Sequence, residues 1–260
     1  MAGGWPGSLR NWTISFLGNW TFPTSQTDGI PSGNQRPGHV GPFRTGPAMY
    51  VPPHFEESRI PVLHDLIERN PLGVLVTQGK AGLDANHIPF HLERGPGPGI
   101  LTCHVARANP VWQDVSTGDE VLVVFREADA YVSPQWYPSK QDHHRQVPTW
   151  NYLVAHAHGR VTVHDDERFV RRNVALLTRT HEAAQPVPWK MGDAPRDFTD
   201  MMLKAIVGLR IEITRLMGKA KLSQNKEIRD IRSAGEILGA QGDGVIGVAM
   251  CAAVEARGRE

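Results

Sequence analysis

Short runs of apolar and β-branched residues, most of them separated by tight turns, constrain the fold of this chain more than any other feature. Such runs are typical of β-strands, and Gly79 to Gly82 reads as the turn of an antiparallel hairpin. Strands joined in this way favour an antiparallel barrel over a doubly wound parallel sheet. The predicted strand segments are residues 72–78, 83–92, 100–105, 121–126, 130–133, 149–163 and 206–216.

Four segments have the pattern of helices instead. In the first, Ile60, Leu63, Leu66 and Ile67 follow helical spacing, and the helix must end before Pro71 because proline cannot continue it. The other three are residues 166–181, 198–204 and 226–238. We therefore expect an α+β, β-rich fold: an antiparallel split β-barrel with peripheral helices.

The composition changes abruptly at Met49, which divides the chain. Residues 1–48 contain nine glycines and six prolines but only four charged residues, so they cannot bury enough apolar surface to offset their ordering entropy. We expect them to be disordered, either as a genuine tail or as an extension upstream of a translation start at Met49. The barrel domain is predicted over residues 49–225, and residues 226–260 are predicted to be a helix followed by a flexible, glycine-rich tail.

Charge and cysteine content exclude several classes of protein. The formal net charge is +1, so no overall field attracts nucleic acid or an anionic membrane. The apolar runs are far shorter than the roughly 20 residues that cross a bilayer. Two cysteines without CxxC spacing indicate a reducing, cytoplasmic compartment, and the glycine-rich loops that bind nucleotide phosphates are missing.

A first group of candidate binding residues lies near the ends of the early strands. Asn86 and His87 interrupt an apolar strand and could line a cofactor pocket; alternatively, of His87 and His91, one is a hydrogen-bonded interior histidine and the other faces solvent. Arg107 has the planar fork that suits a phosphate or carboxylate, although a surface ion pair is the simpler interpretation. His104 is a possible axial ligand for haem iron, and Asn109 belongs to the turn that follows.

A second group combines aromatic rings, hydroxyls and cations, as a planar ligand with a phosphate requires. Packed aromatic residues need no function, however, because they bury large areas in any core. A helix N-cap role for Ser223 or Asn225 is the alternative for the last segment of this group. The members are Ser133, Trp136, Tyr137, Lys140, Thr149, Trp150, Asn151, Lys221, Ser223 and Gln224. We expect both groups to meet in one hollow, within one chain or between two.

The spacing of His156 and His158 is the only metal-like pattern that we single out. Two residues apart on a strand, their side chains share a face about 6.6 Å apart, which is close enough to chelate. A third ligand is not evident, so we predict no metal site.

At these segments the sequence resembles the PaiB family, whose members are described as FMN-binding negative transcriptional regulators. That family is related to the split barrels of the pyridoxamine-phosphate-oxidase type. The matching stretches follow the family order and nearly fill residues 49–225. They are residues 49–55, 86–90, 104–110, 130–140, 147–152, 206–213 and 218–225.

The resemblance implies a homodimer that holds FMN near the subunit interface with residues from both chains. Direct DNA binding is doubtful, because the sequence has neither a helix-turn-helix pattern nor a basic recognition stripe. A flavin-dependent oxidoreductase is an alternative function. Haem is the alternative cofactor, since relatives of this fold include piperazate synthases, in which the histidine that matches His104 looks like the axial ligand.

Overall fold

A computed structural model describes residues 49–80, 82–242 and 244–257. The predicted disorder of residues 1–48 lies outside these residues. Eight antiparallel strands form one sheet in the order β3-β2-β6-β7-β8-β5-β4, and β1 pairs separately with β8. The strands are β1 (Glu56–Glu57), β2 (Leu72–Gly79), β3 (Gly82–Pro89), β4 (His91–Glu93), β5 (Ile100–Ala106), β6 (Glu120–Val132), β7 (Thr149–His164) and β8 (Ile206–Lys221).

The sheet closes on itself through a single residue. Strands β3 and β4 stand at opposite ends of the strand order, yet only Phe90 separates them in the chain. Phe90 is buried, its backbone N–H donates to Pro71 O at 2.8 Å, and its ring meets Phe125 edge-on with centroids 5.7 Å apart. The two edges of the sheet are therefore one bent strand, which confirms the predicted antiparallel split barrel.

Seven helices accompany the sheet in the described part of the chain. The first, α1, packs Leu63, Leu66 and Ile67 into the barrel core. Pro71 ends it as expected, because Asn70 already leaves the helical conformation. The helices are α1 (Ile60–Arg69), α2 (Val111–Asp114), α3 (Ser139–His143), α4 (Glu167–Glu182), α5 (Arg196–Lys204), α6 (Ile228–Gln241) and α7 (Gly244–Arg257).

Two predicted strand segments are one strand in the structure. Residues 121–126 and 130–133 both belong to β6, which bends at a bulge between Arg126 and Asp129. The bulge keeps both halves paired with β7 while it redirects the strand. As a result the far halves of β6, β7 and β8 extend beyond the barrel.

A second apolar core covers these extended strand ends, and it corrects the prediction of a flexible C-terminal tail. Helix α7 spans residues 244–257 and buries Ile246, Met250 and Val254 at helical spacing. The small residues that indicated flexibility instead allow close approach: a Cβ added at Gly247 would lie 2.7 Å from Gly235 O of α6. The glycines therefore form the α6–α7 contact.

Replacing Met250 by alanine tests whether α7 is a permanent part of the fold. Met250 is 0% exposed, so Met250→Ala should leave a cavity and lower the free energy of unfolding by about 2–5 kcal/mol. The control Val248→Ala changes a side chain on the same helix that is 70% exposed, and should stay within about 0.5 kcal/mol. Urea unfolding measures both. Equal, small effects would contradict the docking of α7.

Candidate functional site

Three residues of the second predicted group form a buried hydrogen-bond network. The Tyr137 and Ser223 hydroxyls are 3.0 Å apart, and Asn151 Nδ2 donates to Ser223 Oγ at 3.0 Å. Asn151 Nδ2 also lies 3.3 Å from Met250 Sδ of α7. All three residues are buried, so in this chain they join the ends of β6, β7 and β8 to α7 and do not face solvent.

Lys221 and Trp150 make the more accessible part of this group. Lys221 Nζ donates to Thr149 Oγ1 and to the Trp150 carbonyl oxygen, and partial burial, with Lys219 nearby, lowers the pKa of Lys221. The Trp150 ring is 54% exposed and meets the exposed Tyr131 ring edge-on at 5.9 Å. A cation beside open aromatic rings is therefore present at this end of the sheet.

The remaining members of the group have structural partners or positions. Ser133 Oγ accepts from Gln135 N at 3.2 Å and so caps a short 3₁₀ turn. Gln224 bonds the backbone of Leu222 and Ala220 at 2.7 and 2.6 Å. Trp136 packs against the second core, and Lys140 lies half-buried in α3.

Sequence reasoning missed a second buried network beside the first. The Asp230 carboxylate, 0% exposed, accepts from Ser139 N at 3.0 Å and from Ser139 Oγ at 2.6 Å. Gln146 Nε2 donates to Ser139 Oγ at 2.6 Å, and Lys226 Nζ donates to Gln146 Oε1 at 2.5 Å. An aspartate in the first turn of a helix normally indicates only a favourable interaction with the helix dipole, so no feature of the sequence pointed to this network.

At the other end of the barrel, the first predicted group is only partly assembled. Asn109 Nδ2 donates to Asn86 Oδ1 at 2.8 Å, while Asn109 Oδ1 accepts from Val111 N at 3.0 Å. Asn86 in turn donates to Asp84 Oδ2 at 2.8 Å. His87 is exposed on β3. The two asparagines thus connect β3 to the segment after β5.

Arg107 forms a surface ion pair, which was the simpler of its two predicted roles. Both terminal nitrogens bond the Asp165 carboxylate, at 2.9 and 2.5 Å, and Nε donates to Lys204 O at 2.8 Å. The guanidinium holds the pKa of Asp165 below its usual range. The pair is exposed, so its net contribution to stability is small. An anionic ligand would have to displace the Asp165 carboxylate in order to bind the Arg107 guanidinium in the same bidentate manner.

Within one chain the two groups do not meet. Arg107 N bonds Ala205 O, next to the start of β8, whereas Lys221 is the last residue of β8. A strand of this length measures about 50 Å along its contour at roughly 3.3 Å per residue. A single hollow lined by Arg107 and Lys221 of the same chain is therefore wrong, because β8 holds them at opposite ends.

His104 has a defined tautomer. Its Nδ1 lies 2.9 Å from Asn173 Oδ1 of α4, and Asn173 Nδ2 donates to Thr102 Oγ1 at 3.0 Å. The Asn173 oxygen faces His104 in this arrangement, and an amide oxygen can only accept. The neutral His104 ring therefore carries its proton on Nδ1 and its lone pair on Nε2.

The histidine pair of β7 lies on the outer face of the sheet. His156 pairs in register with Val124 and Met217, and His158 with Leu122 and Arg215. Burial lowers the pKa of both histidines. In the described ranges no three His, Cys, Asp or Glu side chains are grouped to hold a metal ion, and no helix is long and apolar enough to cross a membrane.

Comparison with known proteins identifies a family. A family model described as "Putative FMN-binding domain" matches residues 49–215. An uncharacterized protein of Aspergillus fumigatus is 34% identical, over 68% of this chain and 85% of its own length. The protease synthase and sporulation protein PAI 2 of Bacillus subtilis is 28% identical, over 73% of this chain and 89% of its own.

Two solved structures have weaker similarity. A conserved hypothetical protein of Mycobacterium tuberculosis is 12% identical with a TM-score of 0.48, covering 69% of this chain and 94% of its own. A FAD and heme binding protein of Mycobacterium smegmatis is 17% identical with a TM-score of 0.46, covering 68% and 78%.

The lowered pKa values of His156 and His158 predict acid sensitivity. Around and below the ordinary histidine pKa of about 6.5, the unfolded chain binds more protons at these positions than the folded chain. The free-energy cost of keeping these two histidines uncharged in the folded state is absent above that pH and grows as the pH falls. The double variant His156→Gln, His158→Gln should therefore lose less stability between pH 7.5 and 5 in urea unfolding. An unchanged slope would contradict the burial of these rings, and the single variants separate their contributions.

Proposed function

Because the chain belongs to the FMN-binding domain family that matches residues 49–215, we propose that it binds FMN in a site completed by two copies of the chain. The family match is the observation that carries this proposal. It spans the barrel and contains twelve of the fifteen residues predicted to bind the cofactor; only Lys221, Ser223 and Gln224 lie beyond it.

The residues present suit a flat molecule with a phosphate. Trp150 and Tyr131 expose large aromatic faces beside the Lys221 ammonium, and Arg107 supplies a planar fork at the far end of β8. Aromatic faces stack on planar rings, and guanidinium groups bind phosphate in a bidentate manner. One chain cannot offer both to the same ligand, so a partner copy must supply one of them.

We assign the parts of the site accordingly. Arg107, with the Asn86–Asn109 pair, serves the phosphate end from one copy, and Trp150 with Lys221 serves the ring end from the other. The bound flavin supplies reversible uptake and release of electrons. The protein residues bind and orient the ligand, and Asp165 competes for Arg107 until the phosphate replaces it.

For the role of the bound flavin we propose regulation of gene expression without direct DNA contact. This proposal rests on the PaiB resemblance and on the name of the PAI 2 relative. A net charge of +1 provides no overall positive field that would attract DNA. The alternative is a flavin-dependent oxidoreductase. A reductant that bleaches the bound flavin faster than free flavin favours the enzyme; equal rates favour the regulator.

Removing either cation should weaken FMN binding. A charge-assisted hydrogen bond contributes about 1.5–3 kcal/mol, so Arg107→Gln and Lys221→Gln should each raise the Kd for FMN about tenfold or more. Arg59→Gln, which removes an exposed guanidinium paired with Glu57, should leave the Kd unchanged. Quenching of FMN fluorescence measures the three values. A purified protein that is colourless and takes up no FMN refutes the proposal.

Mixing the two variants tests whether two copies share the site. In a mixed dimer of Arg107→Gln and Lys221→Gln chains, one site loses both cations and the other keeps both. Tight FMN binding should therefore return to about half of the sites in the mixed dimers. If mixing restores no tight binding, the two residues do not act across the interface.

The geometry of His104 favours haem as a second candidate ligand. Histidines that bind a metal generally donate their other ring N–H to an oxygen, which fixes the ring. Asn173 accepts in this way from His104 Nδ1, so Nε2 has its lone pair available to bind iron.

This candidate has its own test. If haem binds, the loaded protein shows a Soret band that is lost in His104→Ala. In Asn173→Leu, which removes the acceptor for Nδ1, the band should shift and the haem affinity should fall about tenfold to a hundredfold. A Soret band that survives in His104→Ala excludes this histidine as the ligand.

A further inference from the structure

A cavity of about 240 Å³ lies between α4 and the outer face of the sheet. We call it the α4 cavity. Its floor contains Thr102 of β5 and Asn173 of α4, both buried, with His164 at the end of β7. Its volume equals that of about eight liquid waters, which suits a small metabolite better than a nucleotide.

The floor is built by close packing at Gly208. A Cβ at Gly208 would lie 2.3 Å from Phe169 Cδ1, so only glycine lets the Phe169 ring reach the sheet there. That ring stacks on His164, with centroids 4.0 Å apart and an interplanar angle of 5°. Phe169 and Leu176 thus form an apolar wall, and the position of His164 is fixed.

The floor presents an acceptor that has no partner. His164 Nε2 is buried and makes no hydrogen bond to any residue that the structure describes. His164 Nδ1 lies 3.4 Å from Asp166 Oδ2, a charge contact that favours the tautomer with the proton on Nδ1. In that tautomer Nε2 carries a lone pair that lacks a hydrogen-bond donor, which is unfavourable for a buried polar atom.

The mouth carries both signs of charge. Arg172 and Arg210 stand on one side, and Glu93 lies 3.8 Å from Arg172. Arg210 donates through Nη1 to Glu212 at 2.6 Å, which uses one of its five N–H groups. A carboxylate at the mouth and an acceptor on the floor disfavour a phosphate, whereas a molecule with one positive and one negative group matches both.

We propose that the α4 cavity binds a small α-amino acid. The guanidinium groups of Arg172 and Arg210 bind its carboxylate, and Glu93 and His164 Nε2 accept from its ammonium group. Phe169 and Leu176 contact a short side chain.

The cavity is linked to His104 through Asn173. Asn173 lines the cavity floor and accepts the proton of His104 Nδ1, so a ligand that contacts Asn173 acts on that hydrogen bond. Occupancy of the cavity is thereby coupled to the ring of His104. This coupling does not depend on whether FMN or haem is bound elsewhere.

Calorimetric titration of the full chain with L-valine and L-asparagine tests the proposal. At least one should bind saturably. Its decarboxylated amine and its deaminated acid should each bind about tenfold more weakly or worse, because each lacks one charged hydrogen-bonding group. On binding, the ¹⁵N resonance of His104 Nδ1 should shift. Failure of both amino acids to bind overturns the proposal, whatever the outcome for FMN.

Variants locate the site. Arg172→Gln and Arg210→Gln should each weaken binding about tenfold, and Leu176→Trp should abolish it by filling the cavity. The matched control Arg171→Gln changes the neighbouring arginine on α4, which pairs with Glu167 and Asp200, and should leave affinity within about twofold. Binding that persists in Leu176→Trp overturns the proposal. So does inorganic phosphate that binds more tightly than either amino acid and is lost in Arg210→Gln.

Discussion

The passage of the chain from β3 to β4 through Phe90 is the constraint on which the rest of this molecule depends. Because one residue connects the two edges of the sheet, the barrel closes, and its interior must be filled by α1 and by inward-facing side chains such as Phe125. Closure also fixes which strand segments extend beyond the barrel. The long ends of β6, β7 and β8 need a cover of their own, and α6 with α7 supply it.

Strands and helices could be predicted because their signals are local. The helix over residues 60–69 follows from four apolar residues and a proline, and the β7 and β8 patterns hold over sixteen residues each. The bulge in β6 and the docking of α7 depend on partners distant in sequence. A glycine has the same appearance in a sequence whether it belongs to a flexible tail or allows another helix to approach closely. The docking of α7 could therefore be seen only in the structure.

The candidate site was predictable in residue type but not in arrangement. Aromatic and polar residues at strand ends were singled out as a ligand site, yet Tyr137, Asn151 and Ser223 form a buried network within one chain. Asp230 and Ser139 are 91 residues apart, and neither has a neighbour that reveals the other. Arg107 and Lys221 lie at opposite ends of β8, and only the register of that strand shows this. The single hollow expected within one chain is therefore replaced by two separate sets of residues.

The ion pair between Arg107 and Asp165 has a consequence for how such a protein evolves. If a phosphate binds Arg107 as proposed, Asp165 is an internal competitor, because the ligand binds the guanidinium only to the extent that it binds better than the carboxylate already present. Affinity is then a difference between two interactions. Selection could tune the occupancy of the site at a position that the ligand never touches, without altering the residues that recognise it.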